Sequence, residues 1–245
     1  MKTVIITGGT QGIGAAIAQR FHQQGAFVII GARRDNGFAE KLGERACFVR
    51  SDVTRPDDHA RLVETALKTS GRLDIYVNNA GRSQWMPLED VTEDFWNAML
   101  DVNAKSVLFG SQQAARVLPP GGSILNISSL AGKRGSANNA VYCASKFAVN
   151  GITQSLAKEL GPRGIRVNAV CPVLVRTPGL VNALKEAPAP AKGDPETFLL
   201  SFTQANAALG VLPTAEQVAH FCCLLAESDG VTGQCINVDC GVFPQ

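Results

Sequence analysis

Seven short runs rich in valine, isoleucine and other strand formers recur along the chain, and helix-length segments separate most of them. The spacing predicts strands over residues 3–7, 26–30, 46–50, 73–77, 122–128, 165–171 and 234–238. A strand followed by a helix and then another strand returns in the same direction, so repeated βα units imply a parallel sheet covered on both faces. Runs such as F-V-I-I and I-R-V-N-A-V are apolar without alternation, as strands buried on two sides must be. Right-handed crossovers then give an α/β, doubly wound parallel sheet of about seven strands with helices on both faces. At 245 residues and 45% hydrophobic, the chain has the length and apolar content for one such core, and a single domain over 1–245 is expected.

The first strand ends in Thr7-Gly8-Gly9-Thr10-Gln11-Gly12-Ile13-Gly14 and passes directly into the helical pattern A-A-I-A-Q-R-F. At that junction a doubly wound sheet binds pyrophosphate: glycines admit the ligand to the backbone and helix N-terminal amides face the phosphates. The second strand ends in Gly31-Ala32-Arg33-Arg34-Asp35, where an NAD-binding chain carries an acid against the ribose hydroxyls. Here Ala32 takes that place and Arg33 follows, so NADP(H) is favoured over NAD(H). Asp35 is the competing residue, able to reach the ribose if the strand ran longer. Farther on, A-V-Y-C-A-S-K places Tyr142 and Lys146 four residues apart on one helix face. A cation beside a phenol lowers its pKa towards the range of a useful proton carrier, and Lys146 is expected to do this for Tyr142.

Other classes of function find little support. A net charge of +2 and no basic run beyond Arg33-Arg34 argue against nucleic acid or a membrane surface as partner. The apolar start is too short for a signal-peptide core and no later run approaches a membrane span, so a cytoplasmic protein is expected. Seven cysteines form no C-x-x-C pair and read as buried thiols, while His22, His59 and His220 lack ligand spacing; no metal site is expected.

Taken in order, these segments resemble the short-chain dehydrogenase/reductase family, whose Rossmann-type fold the resemblance implies from the first strand to the C-terminus. The T-G-x-x-x-G-x-G turn spans Thr7 to Gly14 and presents Gly8, Thr10, Gln11, Gly12, Ile13 and Gly14 to the cofactor; Asp52-Val53 is the adenine-side pair and Asn78-Asn79-Ala80-Gly81 the N-N-A-G segment. The family's catalytic serine precedes the tyrosine by thirteen positions, which selects Ser129 over Ser128, and its helix-distorting asparagine, which holds a water near the lysine, matches Asn103. By that resemblance Asn103, Ser129, Tyr142 and Lys146 are catalytic. Tyr142 is the acid in carbonyl reduction and the base in alcohol oxidation, Ser129 bonds the reacting oxygen, Lys146 also holds the nicotinamide ribose, and Asn103 relays protons. Asn79, Ala80, Gly81, Arg33, Asp52 and Val53 join the cofactor site with Pro172, Val173, Val175 and Thr177. Two positions depart from the family: Val173 stands where glycine usually follows the proline, and Cys240 stands where glycine is common. Family members usually assemble as dimers or tetramers, so a homo-oligomer is expected.

The segment 177–213, rich in proline and small residues, reads as a loop with short helices forming a lid over the site. Arg82-Ser83-Gln84-Trp85, Lys133 to Asn139 and this lid would wall the substrate pocket. Lys133, Arg134, Asn138, Asn139, Lys185 and Lys192 make those walls polar and favour a small hydroxylated or anionic substrate, a secondary alcohol or its carbonyl. A 3-oxoacyl-carrier-protein reductase shares every motif and is the alternative enzyme. A non-catalytic NADP(H) sensor is the alternative of another class, and intact Ser129, Tyr142 and Lys146 argue against it.

Overall fold

The computed structural model describes residues 1–244. Seven strands, β1 (Thr3–Thr7), β2 (Phe27–Ala32), β3 (Ala46–Arg50), β4 (Ile75–Asn78), β5 (Ser123–Ile127), β6 (Arg166–Pro172) and β7 (Cys235–Val238), form one sheet. Its order is β3-β2-β1-β4-β5-β6-β7, and every neighbouring pair is parallel. Each strand lies within two residues of the span read from the sequence at either end. The chain runs outward from β1 through β2 to β3, then returns to lay β4 on the other side of β1. The crossovers therefore part at the C-terminal ends of β1 and β4 and leave a crevice there.

Alternate residues of each buried strand serve opposite faces. Val4 and Ile6 of β1 pack with Ile17 and Phe21 of α1 (Gly12–Gln23) and with Val218 and Cys222 of a helix near the C-terminus, Ala215–Glu227. Ile5 points the other way, into a cluster with Leu62, Ala114 and Leu160 from helices at Pro56–Ser70, Ser106–Ala115 and Ala140–Leu160. Each such side chain, removed wholly from water, contributes on the order of 2 kcal/mol, and the two clusters clamp the sheet that carries the crevice.

In chain order the remaining helices are α2 (Phe38–Leu42), α3 (Pro56–Ser70), α4 (Glu93–Leu100), α5 (Ser106–Ala115), α6 (Ala140–Leu160), α7 (Pro178–Leu184), α8 (Pro195–Asn206) and α9 (Ala215–Glu227). Their starts are written locally. Thr92, Thr177 and Asp194 accept amides at the N-termini of α4, α7 and α8, and Thr214 forms a reciprocal capping box with Gln217 at α9. Between α4 and α5 the helix widens into one π-turn, Asp101–Lys105, without breaking.

The segment 177–213 is more ordered than a loop with short helices, since α8 alone runs for 12 residues. Ala183, Leu184, Ala189, Ala191 and Leu199 close around Trp85, giving this region a small core of its own. Among the described residues, the non-glycine residues with left-handed φ are Asn138, Lys192 and Cys240. At Cys240 (φ 54°) the conformation is one that glycine enters freely, consistent with the departure expected at this position from the resemblance. All seven cysteines are free thiols; Cys143, Cys171, Cys222 and Cys223 are buried as expected, whereas Cys47, Cys235 and Cys240 are only partly so.

Candidate active site

The crevice is built first from backbone. Gly8 and Gly12 hold φ of 65° and 56°, which bends the chain off β1 and into α1. A Cβ on Gly14 would fall 2.4 Å from both Gly8 O and Asn79 Nδ2, so helix and strand meet there at a distance only glycine allows. The glycine turn is then fastened to the segment after β4. Asn79 Nδ2 donates to the carbonyls of Thr7 (2.8 Å) and Gly8 (3.2 Å), and the Thr7 hydroxyl accepts the amides of Asn79 (3.0 Å) and Ala80 (3.1 Å). Gln11 caps α1 through its extended backbone alone, and its side chain makes no cap bond. This cradle, closed to any side chain at Gly14 and open at the helix N-terminus, fits the pyrophosphate of a dinucleotide.

The adenosine end follows the same plan. Strand β2 ends at Ala32, and Asp35 turns its carboxylate onto its own loop by accepting the amide of Gly37 at 2.9 Å. Arg33 instead lines the cleft. Asn36, which no motif marked, donates to the carbonyl of Thr10 at 2.8 Å and ties this loop to the glycine turn. Asp52 accepts the amide and hydroxyl of Thr54 at 3.0 and 2.8 Å. Partial burial would raise its pKa, yet the Thr54 bonds and the nearby charges of Arg33 and Arg55 hold the carboxyl below its usual range. The Val53 carbonyl accepts Nε2 of His59, whose Nδ1 then takes the Tyr76 hydroxyl at 2.7 Å, so the buried histidine is structural.

Ser129, Tyr142 and Lys146 line one cleft of about 750 Å³ together with Ile13, Asn79 and Gly81. Ser129 caps a short 3-10 turn by accepting the Ala131 amide (3.1 Å), and its hydroxyl also lies beside the Tyr142 phenol. Ser128, its neighbour, is buried and donates to the Lys146 carbonyl at 3.3 Å. Lys146 is 5% exposed and donates from Nζ to the Ile127 carbonyl at 2.9 Å, with Nζ 5.9 Å from the centroid of the Tyr142 ring.

The electrostatics differ from the expectation that Lys146 lowers the pKa of Tyr142. Burial pushes the phenol up to about 12, and only the Ser129 hydroxyl draws it back. Burial also lowers the lysine to about 8. With one bond of Nζ spent on a carbonyl and its charge more than 5 Å from the ring centre, desolvation outweighs the Coulomb attraction. The protein alone therefore holds Tyr142 as the neutral phenol through the physiological range.

Asn103 sits in the π-turn and is 1% exposed, although a polar residue on a helix reads by type as a surface position. It clamps Arg82 at two points, accepting its amide and donating to its carbonyl, each at 2.8 Å. It also donates to Ser145 Oγ at 3.0 Å, and Ser145 in turn donates to the Tyr142 carbonyl at 2.7 Å. A Cβ on Gly81 would stand 3.2 Å from Asn103 Oδ1 and 3.6 Å from Lys146 Nζ, which places both the asparagine and the lysine against that glycine.

Pro172, Val173, Val175 and Thr177 all line the cleft. Val173 keeps an ordinary φ, so the turn after β6 does without glycine. Thr177 caps α7, and its methyl lies 3.2 Å from where a Cβ on Gly12 would be, closing the crevice opposite the glycine turn. Gly8, Thr10, Gln11, Gly12, Gly14, Asp52, Val53 and Ala80, also read as cofactor-binding, are not among the residues that line this cleft.

The remaining walls are less polar than expected. Of the six polar residues read as pocket walls, Arg134 and Asn139 line the cleft, whereas Lys133, Asn138, Lys185 and Lys192 do not. Lys185 and Lys192 stand in solvent, where a flexible ammonium loses least hydration, and the lid turns its apolar side inward. Trp85, Leu130, Leu180, Phe198 and Phe202 make the wall instead. Their signal in the sequence was no different from that of any core residue. Among the described residues no group of acidic, histidine and cysteine side chains could hold a metal ion, and no helix is long and apolar enough to cross a membrane.

A family profile described as enoyl-(acyl carrier protein) reductase matches residues 8–243. The chain is 38% identical over 251 residues to the short-chain dehydrogenase reductase ATA1 of Arabidopsis thaliana, covering 98% of this chain and 92% of that protein. It is 39% identical over 182 residues to a 3-alpha-(or 20-beta)-hydroxysteroid dehydrogenase of Mycobacterium bovis, covering 72% and 70%. A short-chain dehydrogenase from Burkholderia cenocepacia, solved in complex with NADP, superposes with a TM-score of 0.86 at 34% identity and covers 98% of this chain and 97% of its own.

Proposed function

The chain belongs to the short-chain dehydrogenase/reductase family of oxidoreductases, and on that premise we propose that it interconverts a bulky, largely apolar ketone and its secondary alcohol with NADP(H). The observation that carries this reading is the meeting of Ser129, Tyr142 and Lys146 on the wall of a cleft whose other end is the glycine cradle. When bound, the nicotinamide supplies or accepts the hydride. The chain's own residues do the rest. The cradle and Thr177 fix the dinucleotide, and Lys146 stands between Tyr142 and the Ile127 carbonyl to hold the ribose. Ser129 hydrogen-bonds the carbonyl oxygen of the substrate while Tyr142 gives it the phenolic proton. A phenol kept neutral by burial is loaded for that donation.

Two observations support the finer points. Arg33 faces the cleft while Asp35 is engaged with Gly37, an arrangement that accepts a 2′-phosphate, and the Burkholderia relative was solved with NADP. The wall of Trp85, Leu130, Phe198 and Phe202 favours a large apolar carbonyl over the small polar one read from the loop composition, and the Mycobacterium relative is named for hydroxysteroids. The deciding measurement is NADPH oxidation across a panel of steroid-sized ketones, small polyol-derived ketones and simple cyclic ketones, with Tyr142→Phe as control. We expect the large ketones to lead and the variant to lose roughly 10²–10⁴-fold in kcat. Equal rates in the variant would remove the assigned mechanism, and a preference for the small polar ketones would remove the substrate class.

A further inference from the structure

The substrate half of the cleft joins the apolar wall of Leu130, Val173, Phe198 and Phe202 to polar residues of the segment after β5. Arg134 lines it there, two residues beyond the 3-10 turn that Ser129 caps. Its backbone is held in place: the amide donates to the Leu130 carbonyl at 3.2 Å, and the carbonyl accepts the Cys143 thiol at 3.9 Å, one residue from Tyr142. Its guanidinium carbon lies 5.7 Å from the centroid of the Phe243 ring, within cation–π range. Phe243 belongs to the same apolar cluster as Leu130, Val173 and Phe202, three residues of the cleft wall. The charge thus sits where the apolar wall ends.

The two other arginines of the cleft are differently placed. Arg82 bonds Gln84 and stacks on Phe95, and Arg33 lies at the adenosine end, close enough to Asp52 to influence its titration. Among the described residues no carboxylate pairs with Arg134; the arginines in ion pairs are Arg61, Arg72, Arg166 and Arg176. A guanidinium without an acid, beside a surface that excludes water, attracts an anion more strongly than one in bulk solvent, and its planar fork matches a carboxylate or phosphate in two bonds.

We propose that the substrate is amphipathic, its apolar body lying along Leu130, Val173 and Phe202 and its anionic terminus held by Arg134. This rests on the ketone reductase reading above and narrows it. The anion has two chemical sources, the carboxylate of a keto acid or the phosphate of an acyl thioester carrier, and matched substrates separate them.

The experiment uses the full-length enzyme with NADPH and three ketones: a steroid-sized keto acid, its methyl ester, and a 3-oxoacyl-coenzyme A thioester. Arg134→Gln and Arg134→Lys are assayed beside the parent, and calorimetry follows binding of acid and ester independently of turnover. We expect KM for the acid to be about tenfold or more below that of its ester. Arg134→Gln should raise the acid's KM to that of its ester, erasing the gap, and Arg134→Lys should restore part of it. A thioester that outranks the acid and loses its advantage in Arg134→Gln assigns the anion as phosphate. Acid and ester of equal KM, with a thioester indifferent to Arg134→Gln, overturns the proposal while leaving ketone reduction in place. If no ketone is turned over, the reductase reading fails by itself; calorimetric binding of the acid that depends on Arg134 then still upholds the anion site, and binding indifferent to Arg134 overturns it.

Discussion

The cleft has two halves made in different ways. The cofactor half is backbone: Gly8, Gly12 and Gly14 set its shape, and Asn79 and Thr7 tie its two loops together through main-chain groups. The substrate half is side chain: Trp85, Phe198 and Phe202 lean in from a β4 loop and a helical lid that pack on each other rather than on the sheet. A site made of backbone dictates residue types at fixed offsets, because only glycine tolerates the turn and the close approach. A site made of apolar side chains asks only for volume, and many sequences supply that. The first half is therefore the more rigid and the less forgiving, and the second is where specificity can change without loss of the fold.

The sharpest test of that contrast is Gly14→Ala. The added methyl would sit 2.4 Å from Gly8 O and Asn79 Nδ2, so the turn must open or α1 must move. A displacement of that order costs on the order of 10²-fold in catalysis, and dinucleotide binding measured by fluorescence titration should fall with it. Retention of parental affinity would show that the backbone half is softer than its contacts imply.

Next in size is Lys146→Met, which separates function from stability. The folded protein lowers this lysine to about 8 from its usual 10.5, so the unfolded chain binds the proton more tightly. By linkage, stability rises with pH between those values, and below about pH 8 the buried charge is a standing penalty. That shift amounts to about 3 kcal/mol at most, part of which the bond to the Ile127 carbonyl offsets. Lys146→Met should abolish turnover yet be more stable than the parent by about 1–2 kcal/mol at pH 7, with the difference fading by pH 10.5. Urea denaturation at both pH values reads it directly. A variant less stable than the parent at pH 7 would mean that the ammonium is better solvated than its 5% exposure implies.

The same division explains what the sequence disclosed. The strand spans and the glycine turn were legible because each rests on a local rule, a buried two-sided strand or a left-handed φ at Gly8 and Gly12. Ser129 and Tyr142 were reachable through family spacing, and they meet at the cleft wall. Asn103 was not legible from residue type alone, because an asparagine on a helix reads as a surface residue, and only the assembled fold buries it in the π-turn against Arg82. Asn36 is one polar loop residue among many, and only its bond to the Thr10 carbonyl distinguishes it. Nor could composition say which way the lid faces. Its lysines suggested polar walls, but charge went to solvent and Phe198 and Phe202 went inward. The phenol's pKa was misjudged for a related reason: spacing reports that a cation is near, whereas burial, which decides the sign here, is a property of the assembled fold.

Arg33→Ala refines the cofactor half by removing a charge that lines the cleft and leaving the glycine frame intact. Hydrogen bonds to a charged partner are worth about 1.5–3 kcal/mol, less where solvent competes. NADP(H) affinity should fall about tenfold and NAD(H) affinity should stay within twofold or so. Equal losses for both would place the 2′-phosphate elsewhere and return Asp35 to contention.

Phe198→Ala is the mildest change and the one that tests the substrate half on its own terms. Phe198 lines the cleft, stands 5.9 Å centroid to centroid from Phe202, and is only partly buried in the lid's core. Its loss should therefore cost the lid little and the bound ketone more. Removing part of an apolar wall weakens discrimination by about 1–3 kcal/mol, so kcat/KM for a steroid-sized ketone should fall roughly five- to a hundredfold, chiefly through KM. A small cyclic ketone never reaches that wall and should be unaffected. Because the cofactor half is fixed independently by its glycines, NADPH affinity should not move either. If NADPH affinity fell together with the large ketone's kcat/KM, the lid and the glycine frame would be one mechanical unit, and the division between a backbone-built and a side-chain-built half would not hold.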